Sequence, residues 1–246
     1  MTIQEIQKVD LTSFCYLNKE RYPFLLESVN HNENNRYSIL FAFPEKSIVL
    51  RDFSDFDFLN ELESHCKQKS HDSSLPFTGG WFVYLSYELI GQIEPTLASK
   101  LQKSNIPIAY AVKIPSAVIT DHKLEKTFIV DEDDDDTRIN QILSDMRALE
   151  NIPDETIDGE ISEENEEKFT DGVKSSLDYI VAGDVFQVNL SRKWQYQLTE
   201  TTDSAIIYNA LKKANPAPFS ALIQYENFSI ISSSPERLFS VNDKTL

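Results

Sequence analysis

The sequence predicts an α+β protein built on antiparallel strands, and three observations carry that prediction. Apolar runs of strand length follow one another through the first 130 residues with few helices between them, which argues against a doubly wound sheet. Residues 186–198 alternate apolar and polar with a period of two. The two stretches that flank it, near 169–181 and 203–214, repeat at helical spacing instead.

In chain order, Phe24–Val29 and Arg36–Phe43 read as strands separated by the polar loop Asn30–Asn35. Ser47–Leu50 continues the pattern after the turn at Pro44-Glu45-Lys46. Phe56, Leu59 and Leu62 place a helix within residues 55–67. Gly79–Leu89 is an aromatic-rich run that reads as a buried strand, and Ile108–Thr120 with Thr127–Val130 reads as an antiparallel pair. Residues 151–168 are acidic, hold Pro153 and Gly159 and lack an apolar cluster, so they read as a linker. The expected organisation is a domain over 1–150, that linker, and the start of a second domain over 169–246. In the second, Phe169, Val173, Leu177, Ile180 and Val181 share one helix face, with Gly183 where a helix commonly ends. Phe186, Val188, Leu190, Trp194, Tyr196 and Leu198 then point to one side of a strand, and the polar residues between them to the other. Asp203 caps a helix carrying Ile206, Ile207, Ala210, Leu211 and Ala214, which Pro216 and Pro218 end. Phe219–Tyr225 and Phe228–Ser233 form a hairpin about Glu226-Asn227. Leu238–Val241 reads as a last strand and Asn242-Asp243-Lys244 as a turn, with Thr245-Leu246 opening a return strand. An ending in mid-hairpin leaves an unpaired edge, and a fragment is expected from it.

The 246 residues, 41% of them hydrophobic, suffice for a sizeable core in one or two domains. There is no run of eighteen apolar residues and no basic-then-apolar start, and two cysteines, Cys15 and Cys66, fit a reducing compartment. A soluble cytoplasmic protein is expected. The net charge of −17 is local: residues 131–171 hold 17 Asp and Glu against three Lys and Arg. Such a chain has no electrostatic reason to bind nucleic acid or an anionic membrane. The run Asp131–Asp136 lacks the glycine and the spaced ligands of a calcium loop and reads as a solvated turn. His31, His65, His71 and His122 make no metal spacing with one another or with Cys66, so no metal ligands are assigned. Gly79-Gly80 is not a phosphate loop, because no Gly-Lys-Ser/Thr follows.

Two segments stand out chemically. Gly183–Arg192 ends a helix on glycine and carries Gln187, Asn189 and Ser191 on the polar side of a strand. Ile231–Phe239 runs a strand into three serines, Pro235 and the carboxylate of Glu236, at a strand end where sites are often built. From spacing alone these are a solvated face and a surface Glu–Arg pair.

Taken in order, Gly183–Arg192, Asn215–Ile223 and Ser232–Phe239 resemble the chorismate-binding domain of the anthranilate and aminodeoxychorismate synthases. Leu25–Ser28, Arg36–Ile39, Pro76–Gly80 and Tyr84–Leu89 resemble the amino-terminal domain of the same enzymes. The resemblance implies antiparallel β-sheets packed face to face with outer helices, as an α+β sandwich that is incomplete at the C-terminal end. Ala217–Ala221 and Gly80–Glu94 resemble the aminodeoxychorismate branch more than the anthranilate branch, which tends to carry a tyrosine–methionine pair after Pro218.

The implied reaction is amination of chorismate with ammonia from a glutamine amidotransferase subunit. Chorismate loses a ring hydroxyl, which needs a proton donor, and by resemblance Glu236 is the catalytic acid. Magnesium is implied as cofactor, with its glutamate ligands expected beyond residue 246, as is a lysine that separates the two branches. A pocket for L-tryptophan is implied, lined by Ser28 and Arg36 on one side and Pro218, Phe219 and Ser220 on the other, with Glu27 helping to hold the amino group. The lysine that the anthranilate enzymes carry near Arg36 and Tyr37 has no match here. The alternatives are anthranilate synthase component I, and a non-catalytic remnant that binds tryptophan or the amidotransferase.

Overall fold

The computed structural model describes residues 1–30, 35–66, 74–101, 104–133 and 136–239. The expected hairpin at 240–246, His31, His71 and part of the acidic run at 131–136 lie outside them. The elements are β1 (Thr2–Ile6), α1 (Leu11–Leu17), β2 (Phe24–Glu27), β3 (Tyr37–Ala42), β4 (Ser47–Leu50), α2 (Phe58–His65), β5 (Gly80–Leu85) and α3 (Ile90–Ile93). There follow β6 (Ala109–Ile114), β7 (Ser116–Asp121), β8 (Lys126–Asp131), α4 (Asp136–Arg147), β9 (Gly159–Glu163), α5 (Glu166–Ala182), β10 (Trp194–Leu198), α6 (Ser204–Ala214), β11 (Phe219–Tyr225) and β12 (Phe228–Ser234). They form two compact units, residues 1–154 with 203–246, and residues 155–202.

In the first unit β1-β8-β7-β3-β2-β11-β12 make a seven-stranded antiparallel sheet, and β4-β6-β5 a three-stranded one. Alternation along each strand decides what goes where. Phe24, Phe41, Ala221 and Ile223 face the small sheet and pack on Phe82, Tyr110, Val112 and Ile114. Phe24 and Phe82 stack with centroids 4.1 Å apart. Their neighbours in sequence, Leu25, Leu40 and Leu222, face the other way and pack with Phe14 of α1, Ile139 and Ile142 of α4 and Tyr208 of α6. Each of these leucines is wholly buried, a stabilisation of about 1.5–3 kcal/mol apiece. The result is the expected face-to-face packing of antiparallel sheets with helices outside.

The strand expected over Ile108–Thr120 is two. Pro115 has no N–H for the ladder, and the chain turns there from β6 in the small sheet to β7 in the large one. Gly79–Leu89 is strand only to Leu85, after which Tyr87–Leu89 form a 3-10 turn. The linker stretch contains β9 and the start of α5.

The second unit pairs β9 with β10 and carries α5, which Asn165 caps and Gly183 ends in the left-handed conformation, φ 81°. The period-two stretch at 186–198 is strand only over Trp194–Leu198. The apolar face of α5 is largely uncovered: Leu177, Ile180 and Val181 are exposed.

Candidate functional site

The same alternation that buries Leu25 points Glu27, two residues on, toward the helical layer. Its carboxylate accepts a hydrogen bond from the Tyr208 hydroxyl at 2.7 Å and lies 3.5 Å from Lys212 Nζ. Tyr208 and Lys212 are one turn apart on one side of α6. Lys212 also donates to the Thr12 hydroxyl at 2.6 Å and to Asp10 at 3.1 Å, which ties α6 to the start of α1. Burial, and then the Glu27 charge, push the Tyr208 phenol far above its ordinary range, so it remains a neutral donor.

Ser28 is buried just beyond β2. Its N–H donates to the Ser38 hydroxyl at 3.0 Å, and its own proton is shared between the carbonyls of Tyr37 and Pro218, each 3.1 Å away. The amides of Val29 and Asn30 donate to the Ala217 carbonyl, as does the Ser220 hydroxyl at 3.2 Å. Residues 27–30 and 217–220, nearly two hundred positions apart, are thus laced together. Ser220 stands opposite Glu27 in the β2–β11 register. Phe219 is half-buried, with the Arg237 guanidinium 5.1 Å from its ring centre.

A cleft of about 490 Å³ opens beside this lacing. Glu27, Ser28, Ser38, Thr120, His122 and Lys212 line it, with Val9, Leu11 and Val29 as apolar wall. His122 Nε2 is 2.7 Å from the Ser38 hydroxyl. A carboxylate and an ammonium beside apolar surface suit a zwitterion with an apolar side chain.

Of the residues expected to gather here, Ser28 lines the cleft, and Pro218 and Ser220 join it through the contacts above. Arg36 has another partner. Its guanidinium donates along one edge to both oxygens of buried Asp121, Nε to Oδ1 at 2.9 Å and Nη2 to Oδ2 at 2.5 Å, and lies over the Tyr37 ring. Burial works to raise the Asp121 pKa, but the Arg36 hydrogen bond and the amides of Leu124 and Lys123 hold it below the usual range. Glu236 follows β12 with an exposed side chain, and its carboxylate makes no hydrogen bond or ion pair among the described residues. A group that hands a proton to a departing hydroxyl has to be held against it, and among the described residues the Glu236 side chain is held by none. Among the described residues no three His, Cys, Asp or Glu side chains converge to hold a metal ion. No helix among them is long and apolar enough to cross a membrane.

Sequence reasoning missed Asp10, Ser38, His122 and Lys212. Ser38 carried a signal, since it shares parity with Leu40 and Ala42 on the helix-facing side of β3. Lys212 carried one too, at i+4 from Tyr208. His122 had none, because only the fold brings it to Ser38, 84 residues away.

Residues 21–246 match the chorismate binding enzyme family. The chain is 27% identical, over 98% of its length, to anthranilate synthase component 1 of Lactococcus lactis subsp. lactis (strain IL1403), covering 58% of that protein. It is 29% identical, over 92% of its length, to aminodeoxychorismate synthase component 1 of Bacillus subtilis (strain 168), covering 53% of it. The fold is that of anthranilate synthase component I from Streptococcus pneumoniae TIGR4, with TM-score 0.66, 24% identity, and cover of 88% of this chain and 54% of that one. The chain spans about half the length of the curated relatives it matches. With 226 of its residues matched to one family, the chain belongs to the chorismate binding enzymes.

Proposed function

We propose that this chain is the front part of an aminodeoxychorismate synthase, which aminates chorismate to 4-amino-4-deoxychorismate with ammonia from a glutamine amidotransferase subunit. The observation that carries this choice is the segment Ala217-Pro-Phe-Ser-Ala221, which has the aminodeoxychorismate wording and is laced to Ser28. The Bacillus subtilis relative of that name supports it. Anthranilate synthase component I is the second reading, favoured by the name of the Lactococcus relative.

In the proposed reaction Glu236 gives a proton to the departing ring hydroxyl, in a longer protein that covers its carboxylate. Magnesium is proposed for that longer protein alone, since the described residues do not fit a cation site. The cleft beside Glu27 takes L-tryptophan, its ammonium at Glu27 and Asp10 and its carboxylate at Lys212, with Val9 and Leu11 against the ring.

The product decides between the readings. The full-length protein, given chorismate, ammonia and magnesium, is expected to yield aminobenzoate only after a lyase is added. Direct appearance of fluorescent anthranilate would overturn the first reading in favour of the second. The 246-residue chain alone is expected to show no turnover, while calorimetry detects tryptophan; turnover by it would refute the placement of essential groups elsewhere.

A further inference from the structure

Strand β12 ends at Ser234, opposite Phe219 of β11, and Pro235 and Glu236 follow it. The Glu236 side chain is exposed, but its backbone is held on both sides of its Cα. The Glu236 N–H donates to the Ser234 hydroxyl oxygen at 3.4 Å, and the same hydroxyl donates to the Glu236 carbonyl at 3.0 Å. One side chain thus takes up both main-chain polar groups of the residue two positions on. Pro235, between them, has φ fixed by its ring and has no N–H to compete for the hydroxyl.

An amide and a carbonyl that flank one Cα belong to the two rigid peptide planes meeting there, and those planes set the direction of the Cα–Cβ bond. What Ser234 gives Glu236 is therefore the aim of its side chain. The base of this arc is tied down separately. The Ser233 hydroxyl donates to the carbonyl of Asn215, where α6 ends, at 2.5 Å. On the far side the Arg237 guanidinium lies 5.1 Å from the ring centre of Phe219. The Ser234 hydroxyl, in contrast, has hydrogen bonds only to Glu236 among the described residues, on a side chain that is half-buried. Its removal leaves no buried group unpaired, so the fold loses little.

We propose that Ser234 is a positioning residue that acts through Glu236 alone, an inference that rests on the reading of Glu236 as the proton donor to the departing ring hydroxyl. A general acid contributes about 10²–10⁴-fold to the rate, and a misplacement of about 1 Å costs up to about 10²-fold. The Ser234 hydroxyl accounts for a share of what Glu236 supplies and never for more.

A double-mutant cycle in the full-length protein separates this role from a structural one. Chorismate consumption with ammonia and magnesium is followed, a readout that does not depend on which product forms. Glu236→Gln is expected to lower kcat by at least about 100-fold. Ser234→Ala is expected to lower kcat by about 10–100-fold at unchanged KM and unchanged thermal midpoint, because only transition-state stabilisation is lost. Ser234→Thr keeps a hydroxyl and suits the extended backbone required before proline, and it is expected to restore most of that loss. Added to Glu236→Gln, Ser234→Ala is expected to cost nothing further, since the acid it aims is gone. A Glu236→Gln enzyme at wild-type kcat removes the reading of Glu236 and the role of Ser234 with it. Where Glu236→Gln is slow, four results overturn the role of Ser234 alone. They are full activity of Ser234→Ala, no rescue by threonine, additive losses in the double variant, and a fall in thermal midpoint that makes the hydroxyl part of the fold.

Discussion

Buried Tyr22 donates its phenol proton to Asp145 at 2.6 Å, and Arg21 and Gln141 supply that carboxylate's other hydrogen bonds. Tyr22→Phe keeps the ring and removes one bond to a charged group inside the core. The expected cost is about 1–3 kcal/mol, read as a lower urea midpoint at unchanged slope. An unchanged midpoint would mean that Arg21 and Gln141 satisfy Asp145 without it. The thiols divide by burial in the same way. Cys15 is wholly buried, and burial first, then the Glu27 and Asp10 charges, push its pKa far up, whereas Cys66 is exposed. A thiol reagent is therefore expected to label one cysteine in the folded chain and two in denaturant; rapid labelling of both in the folded chain would contradict the packing of α1. At this scale a site is legible where residues carry a pattern. Ser28 and Pro218 stood in recognisable segments, while Lys212 and Asp10 are ordinary surface types until the fold sets them 3.1 Å apart.

Helix ends and sheet changes are set by single residues acting on whole elements. At the end of α5, Gly183 adopts φ 81°, and the Asp184 amide reaches back to the Tyr179 carbonyl at 3.0 Å. Gly183→Ala meets no neighbour within 4 Å, so its whole cost is the left-handed backbone, about 1–2 kcal/mol. Exchange of the Asp184 amide is expected to quicken by roughly 5–30-fold. Unchanged exchange would mean the motif does not close the helix. Gly183 was legible because its conformation is a local property. So were β2, β3, β4, α2, α6 and the β11–β12 hairpin, the strands as short apolar runs bounded by turn residues and the helices by their 3.6-residue repeat. Residues 186–193 show the limit. Their alternation continues into β10 except at Arg192, but a strand needs a ladder partner, and β9 reaches only Trp194–Leu198. Pro115 shows another: Ile108–Thr120 reads as one apolar run because both halves are buried, in two different sheets.

Over the whole molecule two electrostatic effects oppose each other as pH falls, and the outcome is testable. At neutral pH the formal charge is −17, most of it in residues 131–171, and self-repulsion disfavours the compact state. Carboxylates in general titrate at about pH 4, so only a small fraction of this charge is neutralised between pH 7 and about 5, and the thermal midpoint is expected to hold or rise slightly there. Below that range the buried carboxylates take over. Burial works against the ionised forms of Asp121, Asp131 and Asp145, yet their hydrogen bonds win and each pKa lies below the usual value. For Asp131 the donors are Arg138, Ser116 and the Asp133 amide; for Asp145 they are Tyr22, Arg21 and Gln141. A carboxyl whose pKa is lower folded than unfolded binds more protons in the unfolded chain, so its stabilisation is complete above the unfolded value and is lost as pH falls through the folded one. With unfolded Asp near 3.9, the midpoint is expected to drop steeply below about pH 4. Salt separates the two slopes. Near 1 M the screening length is about 3 Å, which removes the gain between pH 7 and 5 but leaves the pairing of buried Asp121 with Arg36 intact. Asp121→Asn should lower the midpoint at pH 7 and remove part of the fall below pH 4. A midpoint that keeps rising through pH 3 would mean that repulsion in the acidic stretch, rather than these three pairs, governs the acid stability of the fold.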